Sequence, residues 1–342
     1  MLVESVPNVS EGRRLDVVDR LAAAITAGPD VYLLDRTSDA SHNRSVFTLA
    51  GEHEPVADAR ERLVGAAIHD IDMDVHEGEH PRIGAVDVVP FIPLGTSSMD
   101  HVIELARAFG ARIAERFELP VYLYARAARR SERERLADVR RGQYEGLKAE
   151  IAQNGREPDF GPSRMHPSAG AVAVGARPFL IAYNINLDSE DVDLAKRIAR
   201  RVRESGGGLP KLQANGFEVR EPERGHPLRA QVSMNLLDFA VTPLWVVWDT
   251  VRDLAAEDGV ELAESELIGL APQASFEAIA EHAGTADASI DERLAAAARY
   301  IRLRDYSPLQ ILERRLEAAR AATTATEAPG MAAPAADDPQ AS

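Results

Sequence analysis

Apolar side chains recur along this chain in two rhythms, one typical of helices and one typical of short strands. Residues 14–27 and 55–68 repeat apolar side chains on one helical face, whereas 2–7, 31–34 and 45–50 are short stretches rich in β-formers. In the first half, the pattern predicts strands at 2–7, 31–34, 45–50, from Val86 onward and at 121–124, and helices at 14–27, 55–68, about 99–117 and 129–152. The order is β-α-β-β-α-β with an added helix and strand, and a Pro/Gly-rich loop follows at 154–170.

The second half repeats this order of elements. The pattern predicts strands at 179–187, 211–219, 230–238 and 265–270, helices at 190–204 and 244–257, and further helix from 276 to about 320. Each series is the ferredoxin-like split unit. We therefore expect an α/β fold of the α+β kind, with ferredoxin-like βαββαβ subdomains at 1–177 and 178–320, the second ending in C-terminal helices. Residues 321–342 are mostly Ala, Thr and Pro without an apolar face, which predicts a disordered tail.

The densest group of polar side chains lies just before the strand that begins at Val86. Two histidines, two carboxylates and an arginine fall within residues 76–82, and the segment that follows is apolar. A polar loop carried by a buried strand is a common way to build a rigid site, so this loop is the first candidate. Pro90 and Pro93 lack the N–H that a central strand position needs. We therefore expect this strand to be broken or to end at an edge of the sheet.

This histidine loop permits three interpretations. Residues 76–80 fit the H-E-x-x-H pattern of zinc proteases, which requires both histidines on one helical face. Gly78 and Pro81 argue against such a helix, and a strand rather than a ligand-bearing helix comes next. In the second interpretation the histidines only cap and solvate a polar loop. In the third, His80 is a general base, because an imidazole titrates near neutral pH.

Several motifs keep their order along the chain and are specific as a series. The central one runs from Gly78 to Asp87 and continues into the apolar segment with its two prolines. The others lie at 6–12, 43–46, 121–124, 158–162, 182–186 and 235–239. In this series, which covers about residues 2–320, the chain resembles the glutamate formimidoyltransferase family, also called glutamate formiminotransferase.

The resemblance implies a fold and a reaction. The fold is two α/β subdomains packed with their sheets inward and helices outside, around a folate-binding crevice. The reaction, part of histidine degradation, moves the formimidoyl group of N-formimidoyl-L-glutamate to N5 of tetrahydrofolate, the co-substrate, without a metal. N5 must lose a proton and the glutamate nitrogen must gain one, so one base serves both steps. Vertebrate relatives carry a following cyclodeaminase domain; this chain ends too early to hold one, so we expect that activity to be absent.

The same resemblance assigns site residues. The catalytic histidine is His80; His76 matches a second family histidine without a clear role, and Glu79 either orients His80 or faces solvent. The implied folate-binding residues are Gly161, Pro162, Ser163, Arg164, Met165, His166, Pro167, Ser168, Ala169 and Gly170. From the residues alone this segment is equally an ordinary interdomain loop. Vertebrate relatives have tryptophan where Ala169 stands, so we expect a stacking surface for the pterin to be lost.

Further polar residues lie near predicted strand ends. Those that match family motifs are Asn8, Asn43 and Arg44, which either line the crevice or cap turns. Asp35 and Asp39 are candidates for holding the cationic amidine of the donor. Vertebrate relatives have aspartate at Thr37, so the carboxylate arrangement is not carried over unchanged.

Composition narrows the possible partners. The chain has 342 residues, 39 Lys plus Arg against 55 Asp plus Glu, and a net charge of −16. This acidity makes the chain a poor candidate for binding nucleic acid or an anionic membrane. The absence of cysteine excludes disulfides, a thiolate nucleophile and thiolate metal ligands. The N-terminus lacks the apolar core of a secretion signal, so we expect a cytoplasmic protein, and we expect a homodimer.

One basic run stands out from this acidic background. Its arginines are Arg126, Arg129, Arg130, Arg133, Arg135, Arg140 and Arg141. Three carboxylates are interspersed among them, which favours a solvated helix face stabilised by ion pairs. The alternative is an anion funnel for the carboxylates of glutamate and of folylpolyglutamate.

Other functions compete with formimidoyl transfer. Within the family, the alternative is transfer of a formyl group between N-formylglutamate or 5-formyltetrahydrofolate and its partner, with the same base. A zinc hydrolase built on His76 and His80 belongs to another class, which metal analysis distinguishes. A folate-binding protein without catalysis is a third class, which would show binding without turnover.

Overall fold

The computed structural model describes residues 1–327 of the chain. The strands are β1 (Leu2–Ser5), β2 (Asn8–Val9), β3 (Val31–Asp39), β4 (Arg44–Glu52), β5 (Val86–Pro93), β6 (Val121–Ala125), β7 (Val172–Ala176), β8 (Ile181–Leu187), β9 (Leu212–Glu221), β10 (His226–Leu236) and β11 (Leu262–Ile268). The helices are α1 (Leu15–Thr26), α2 (His53–Asp70), α3 (Met99–Phe117), α4 (Leu136–Val139), α5 (Gln143–Glu150), α6 (Val192–Val202), α7 (Leu244–Glu257), α8 (Gln273–His282), α9 (Ile290–Tyr300) and α10 (Leu312–Glu327). Within residues 1–327, no helix has the length and apolar character needed to cross a membrane.

The first sheet contains the predicted βαββαβ unit. Its order is β3-β4-β1/β2-β5-β7-β6, with β1 and β2 lying end to end between β4 and β5. The first four positions pair antiparallel, and β7 then pairs parallel to both β5 and β6. Helices α1, α2 and α3 cover one face through buried Leu21, Leu63 and Phe109. Strand β7 was not predicted from the sequence.

Strand β5 is central in this sheet, so the prediction of a broken or edge strand was wrong. It pairs with β1/β2 on one side and with β7 on the other. The register, Glu4 opposite Ile92 and Asn8 opposite Val88, sets Pro90 against the gap between β1 and β2. A missing N–H costs no ladder hydrogen bond where the neighbouring strand is itself interrupted. Ser5 Oγ donates to the Pro90 carbonyl at 2.6 Å.

The second sheet confirms the second predicted βαββαβ unit. Its order is β11-β8-β10-β9 and every pair is antiparallel. Helices α6 and α7 pack their buried Ile198 and Val247 into the same core as Ile185 of β8. The opposite sheet face carries amides and carboxylates: the Nδ2 atoms of Asn184 and Asn186 donate to the carboxylates of Glu266 and Glu264 at 3.1 and 3.2 Å.

The single helix predicted at 129–152 is wrong. The segment forms a short turn and two short helices, α4 and α5, separated at Gly142 and Gln143. Gly142 and Gln143, the first residue of α5, have positive φ, 81° and 57°, which the interior of an α-helix does not accept. Helix α5 then packs Leu147 against Tyr122 and Tyr124 of β6.

The two halves meet on the face of the first sheet opposite α1–α3. Leu34, Ala50 and Ile92 belong to the core of the second half, together with Leu312 of α10. Arg315 Nε donates to the Leu34 carbonyl at 2.8 Å, so α10 crosses back onto β3. This helix runs to Glu327 and so includes the first residues of the predicted tail, 321–327; residues 328–342 of that tail lie outside the described residues. The predicted boundary at 177/178 falls between β7 and β8 and stays a prediction.

Candidate active site

The histidine loop at 71–85 is irregular between α2 and β5, so residues 76–80 do not form a helix. The turn between β3 and β4 holds it. Asn43, with φ 47°, donates from Nδ2 to the Glu77 carbonyl at 2.9 Å and accepts at Oδ1 from the Gly12 amide at 3.0 Å. A Cβ at Gly78 would stand 2.3 Å from the His42 carbonyl oxygen. Only glycine therefore lets the loop approach the turn this closely.

Arg82 fixes the middle of the loop. Its Nη2 donates to the His76 carbonyl at 3.0 Å, and its Nε to His76 Nδ1 at 3.2 Å. Its two Nη atoms donate hydrogen bonds to both carboxylate oxygens of Glu145, at 2.7 and 2.9 Å. The other ring nitrogen of His76, Nε2, lies 3.1 Å from the Asn43 carbonyl. Both nitrogens of His76 are thus used for holding the loop, which gives this histidine a structural role.

Asp87 anchors the end of the loop to β5. Asp87 is 2% exposed. One carboxylate oxygen accepts from the Ile83 amide at 2.8 Å, and the other is paired with Arg140. Because Ile83 is three residues beyond His80, this contact limits the positions that the histidine can take.

His80 borders a small cleft between the loop and the β3–β4 turn. The cleft is lined by Val9, Ser10, His42, Asn43, Arg44, His76, His80, Arg82 and Asp87. The ring of His80 meets that of His42 edge-on at a centroid distance of 6.1 Å. Its Nδ1 is buried and has no hydrogen-bond partner within residues 1–327. The side chain of Glu79 is exposed and forms no hydrogen bond with His80 in this part of the chain, so the solvent-facing alternative describes it.

The electrostatics of the cleft keep His80 neutral. Burial, followed by the positive charges of Arg44 and Arg140, lowers the pKa of His80 to about 4, while Asp87 opposes the shift. This value is well below the ordinary imidazole value assumed from the sequence. The proton-accepting form of His80 therefore predominates at neutral pH.

The segment 161–170 reaches the histidine loop through its backbone. The Ala169 carbonyl accepts from the Ala85 amide at 2.9 Å, and a Cβ at Gly170 would lie 2.5 Å from the Ile83 oxygen. The side chain of Ala169 is buried in the helix-side core. At the other end, Arg164 pairs with Glu118 at the surface. None of the ten predicted folate-binding side chains lines the cleft beside His80.

Other candidates fall at different distances from this cleft. Asn43 and Arg44 line it, and Asn8, whose buried Oδ1 is unpaired within residues 1–327, directly precedes the lining residue Val9. The carboxylate of Asp39 is held by the amide and ring of His42, at 2.8 and 3.0 Å. Asp35 lies on the same strand facing the second half: a Cβ at Gly269 would be 3.8 Å from its Oδ2.

The basic run divides into separate roles. Arg133 is buried, donating to Asp159 at 2.7 Å and to the Glu157 carbonyl at 2.6 Å, so it supports the fold. Arg140 belongs to the cleft through Asp87. The sequence assigned no role to Asp87 and Arg82; a carboxylate within an otherwise apolar strand was the available signal for Asp87.

Comparisons with known proteins match both halves of the chain. One family model, described as the formiminotransferase domain, N-terminal subdomain, matches residues 2–177, and another, the formiminotransferase domain, matches 182–314. Glutamate formimidoyltransferase of Streptococcus pyogenes serotype M1 is 42% identical over 281 residues, covering 82% of this chain and 92% of that protein. Glutamate formimidoyltransferase of Thermoplasma acidophilum is 40% identical over 320 residues, covering 93% and 98%. Formimidoyltransferase-cyclodeaminase of Rattus norvegicus is 45% identical over 277 residues, covering 79% of this chain and 50% of that protein.

Proposed function

Because this chain belongs to the formiminotransferase domain family, we propose that it transfers the formimidoyl group of N-formimidoyl-L-glutamate to N5 of tetrahydrofolate. The observation that carries the proposal is His80, a neutral imidazole held at a cleft by a loop anchored on three sides. The names and long coverage of the bacterial and archaeal relatives support the choice of donor and acceptor.

The reaction requires one base that later acts as an acid. The N5 lone pair attacks the amidine carbon, and a C–N bond forms as His80 accepts the N5 proton. The resulting tetrahedral intermediate collapses when the protonated His80 gives that proton to the glutamate nitrogen. The bond between this nitrogen and the amidine carbon breaks, and 5-formimidoyltetrahydrofolate and L-glutamate are released. Proton transfers of this kind contribute about 10²–10⁴-fold to a rate.

The surroundings of His80 suit this role. The Asn43–Glu77 contact before the histidine and the Asp87–Ile83 contact after it hold the loop, so little reorganisation precedes proton transfer. Burial and the neighbouring arginines keep the ring unprotonated before the substrate arrives. Tetrahydrofolate is the co-substrate of this proposal. Contact between folate and segment 161–170, a homodimer and a cytoplasmic location stay predictions.

Product mass tests the proposal most directly. Purified protein would be incubated with tetrahydrofolate and either N-formimidoyl-L-glutamate or N-formylglutamate. We expect an adduct with the formimidoyl donor, and release of L-glutamate. Formimidoyl and formyl adducts differ by exchange of NH for O, so mass separates them. An adduct formed only from the formyl donor would overturn the choice of donor, and folate binding without any adduct would overturn catalysis.

A further inference from the structure

The cleft beside His80 has more positive than negative charge. Arg82 is neutralised by Glu145, and Arg140 by one oxygen of Asp87. The other oxygen of Asp87 is occupied by the Ile83 amide, and Asp39 is occupied by His42. The guanidinium of Arg44 is left without a carboxylate partner within residues 1–327.

Arg44 is also partly withdrawn from water. Its Nε is buried without a hydrogen-bond partner among the described residues, although the side chain lines the cleft. Burial, and then repulsion by Arg140, lowers the pKa of Arg44 to about 10, with Asp87 and Asp39 opposing. An unpaired guanidinium in such a place is unfavourable in the free protein and becomes favourable when an anion binds.

Building on the proposed function, we propose that Arg44 binds the α-carboxylate of the glutamate in the donor. In N-formimidoyl-L-glutamate this carboxylate is attached to the carbon that bears the leaving nitrogen. A guanidinium in the same cleft as the base therefore reaches it while the amidine carbon stays near His80. The glutamate of the folate is separated from N5 by the pterin and aminobenzoyl groups, so it lies elsewhere when N5 reacts. A planar guanidinium also matches the two oxygens of a carboxylate.

A carboxylate bound to Arg44 changes the charge around His80. The charged and titratable groups around His80 are Arg44 on β4, Arg140 after α4, Asp87 on β5, His42 on the turn, and His76 and Arg82 on its own loop. A carboxylate bound to Arg44 offsets the positive potential that, with burial, lowers the pKa of His80. Donor binding thus strengthens the base that it requires.

The decisive experiment combines Arg44→Gln with donors that lack one carboxylate. N-formimidoyl-4-aminobutyrate lacks the α-carboxylate, and N-formimidoyl-L-2-aminobutyrate lacks the side-chain carboxylate. Losing a charge-assisted hydrogen bond typically costs about 10- to 100-fold. We expect Arg44→Gln to lower kcat/KM for N-formimidoyl-L-glutamate by this factor and to leave the 4-aminobutyrate donor almost unaffected. The kcat/KM for the 2-aminobutyrate donor should fall by the same factor as that for the natural donor. The KM for tetrahydrofolate should not change.

Controls separate this role from a general effect. Arg44→Lys keeps the charge but lacks the planar guanidinium. Its kcat/KM for N-formimidoyl-L-glutamate should lie between those of wild type and Arg44→Gln, and its melting temperature should be unchanged. Arg141→Gln removes an exposed charge from the same basic run and should leave all donors as in wild type. Equal losses for all three donors in Arg44→Gln, losses that follow the side-chain carboxylate, or a raised folate KM would each overturn the assignment.

Binding of L-glutamate, the reaction product, tests the site without turnover. Calorimetry in the absence of folate should show weaker L-glutamate binding to Arg44→Gln by about 10- to 100-fold. Undiminished binding would overturn the carboxylate site even if the enzyme transfers the formimidoyl group. Weakened binding by a protein that turns over no formimidoyl donor would support the site and reject the proposed reaction.

Discussion

Arg44 in the first half and Arg304 in the second are both largely removed from water, but their surroundings differ. Arg304 is 10% exposed at its side chain and pairs with Glu221 at 2.8 Å, with Glu264 at 3.3 Å and with Glu266. Although burial opposes it, hydrogen bonding to Glu221 and Glu266 raises the pKa of Arg304. Arg44 has no such partner within residues 1–327, and its pKa is lowered.

The same contrast extends to the two halves. Both contain a βαββαβ unit with the same strand order, so topology does not distinguish the half that carries the chemistry. In the first half, His80, Arg44 and Glu4 have buried polar atoms that lack partners among the described residues. In the second half, the polar face of the sheet is connected by hydrogen bonds and ion pairs, although Tyr183, Arg203, Arg293 and Arg314 of that half also have a buried polar atom without a partner among the described residues. An unpaired guanidinium and an unpaired imidazole nitrogen that line one cleft therefore mark the candidate site, which topology alone does not.

Removing the proposed base should have the largest effect. His80→Asn keeps a similar size but cannot accept a proton at neutral pH, so kcat should fall by about 10²–10⁴-fold. Steady-state assays with N-formimidoyl-L-glutamate measure this loss of kcat. Folate binding should change little.

His76→Asn is the matched loop control. The structure gives His76 a holding role through Arg82 and Asn43. Its loss should therefore lower the melting temperature, and it should lower kcat less than His80→Asn does. Near-wild-type kcat in His80→Asn, or a greater loss of kcat in His76→Asn, would reject His80 as the base.

Glu4 offers a test of a buried, unpaired polar group away from the cleft. Complete burial, and Glu313 to a smaller extent, raises the pKa of Glu4 to about 8, while Arg177 opposes the shift. Between pH 4.5 and 8 the folded protein then holds a proton that the unfolded chain has released. Stability from this group is present below the unfolded pKa and is lost as pH rises through the folded pKa, with a slope of up to about 1.4 kcal/mol per pH unit.

Glu4→Gln should remove this slope, since the amide does not titrate. The free energy of unfolding would be measured by urea denaturation at several pH values. As pH rises towards 8, its value for Glu4→Gln should increase relative to that of wild type. Glu79→Gln, which removes an exposed carboxylate, should keep the wild-type pH dependence. Parallel curves for Glu4→Gln and wild type would show that Glu4 is charged in the folded protein.

Much of the fold and part of the site could be predicted from local sequence. Apolar periodicity located both βαββαβ units, and Gly78 with Pro81 excluded a helix in the histidine loop. Strand β7 was missed because Val172–Ala176 is short, rich in Ala and Gly, and follows a Pro/Gly loop. The central place of Pro90 depends on the gap between β1 and β2 at Val6 and Pro7, about 84 residues earlier. The Asp87–Arg140 pair joins positions 53 residues apart. Neither relation is visible in a local pattern.

Stability should distinguish the two arginines directly. Arg304→Gln leaves three carboxylates without their shared cation, which should lower the free energy of unfolding by about 1–3 kcal/mol. Arg44→Gln removes a charge with no partner to lose, so its change should stay within about 0.5 kcal/mol of wild type. Urea denaturation at pH 7 compares them. Similar losses in the two variants would mean that Arg44 has a structural partner in solution, and the contrast between the halves would fail.

The smallest expected effect is that of a metal chelator. In a zinc site the imidazole nitrogen must present a free lone pair to the ion. His76 Nε2 faces the Asn43 carbonyl, to which it must donate, and Nδ1 accepts from Arg82 Nε. This pattern fixes a neutral tautomer whose one lone pair is already used, and residues 76–80 do not form the helix that would align His76 with His80. Prolonged incubation with EDTA, followed by assay of formimidoyl transfer, should therefore leave kcat unchanged. If activity instead disappeared and returned on adding stoichiometric zinc, His76 would have to release Arg82 to bind the ion, and the holding role assigned to it would be wrong.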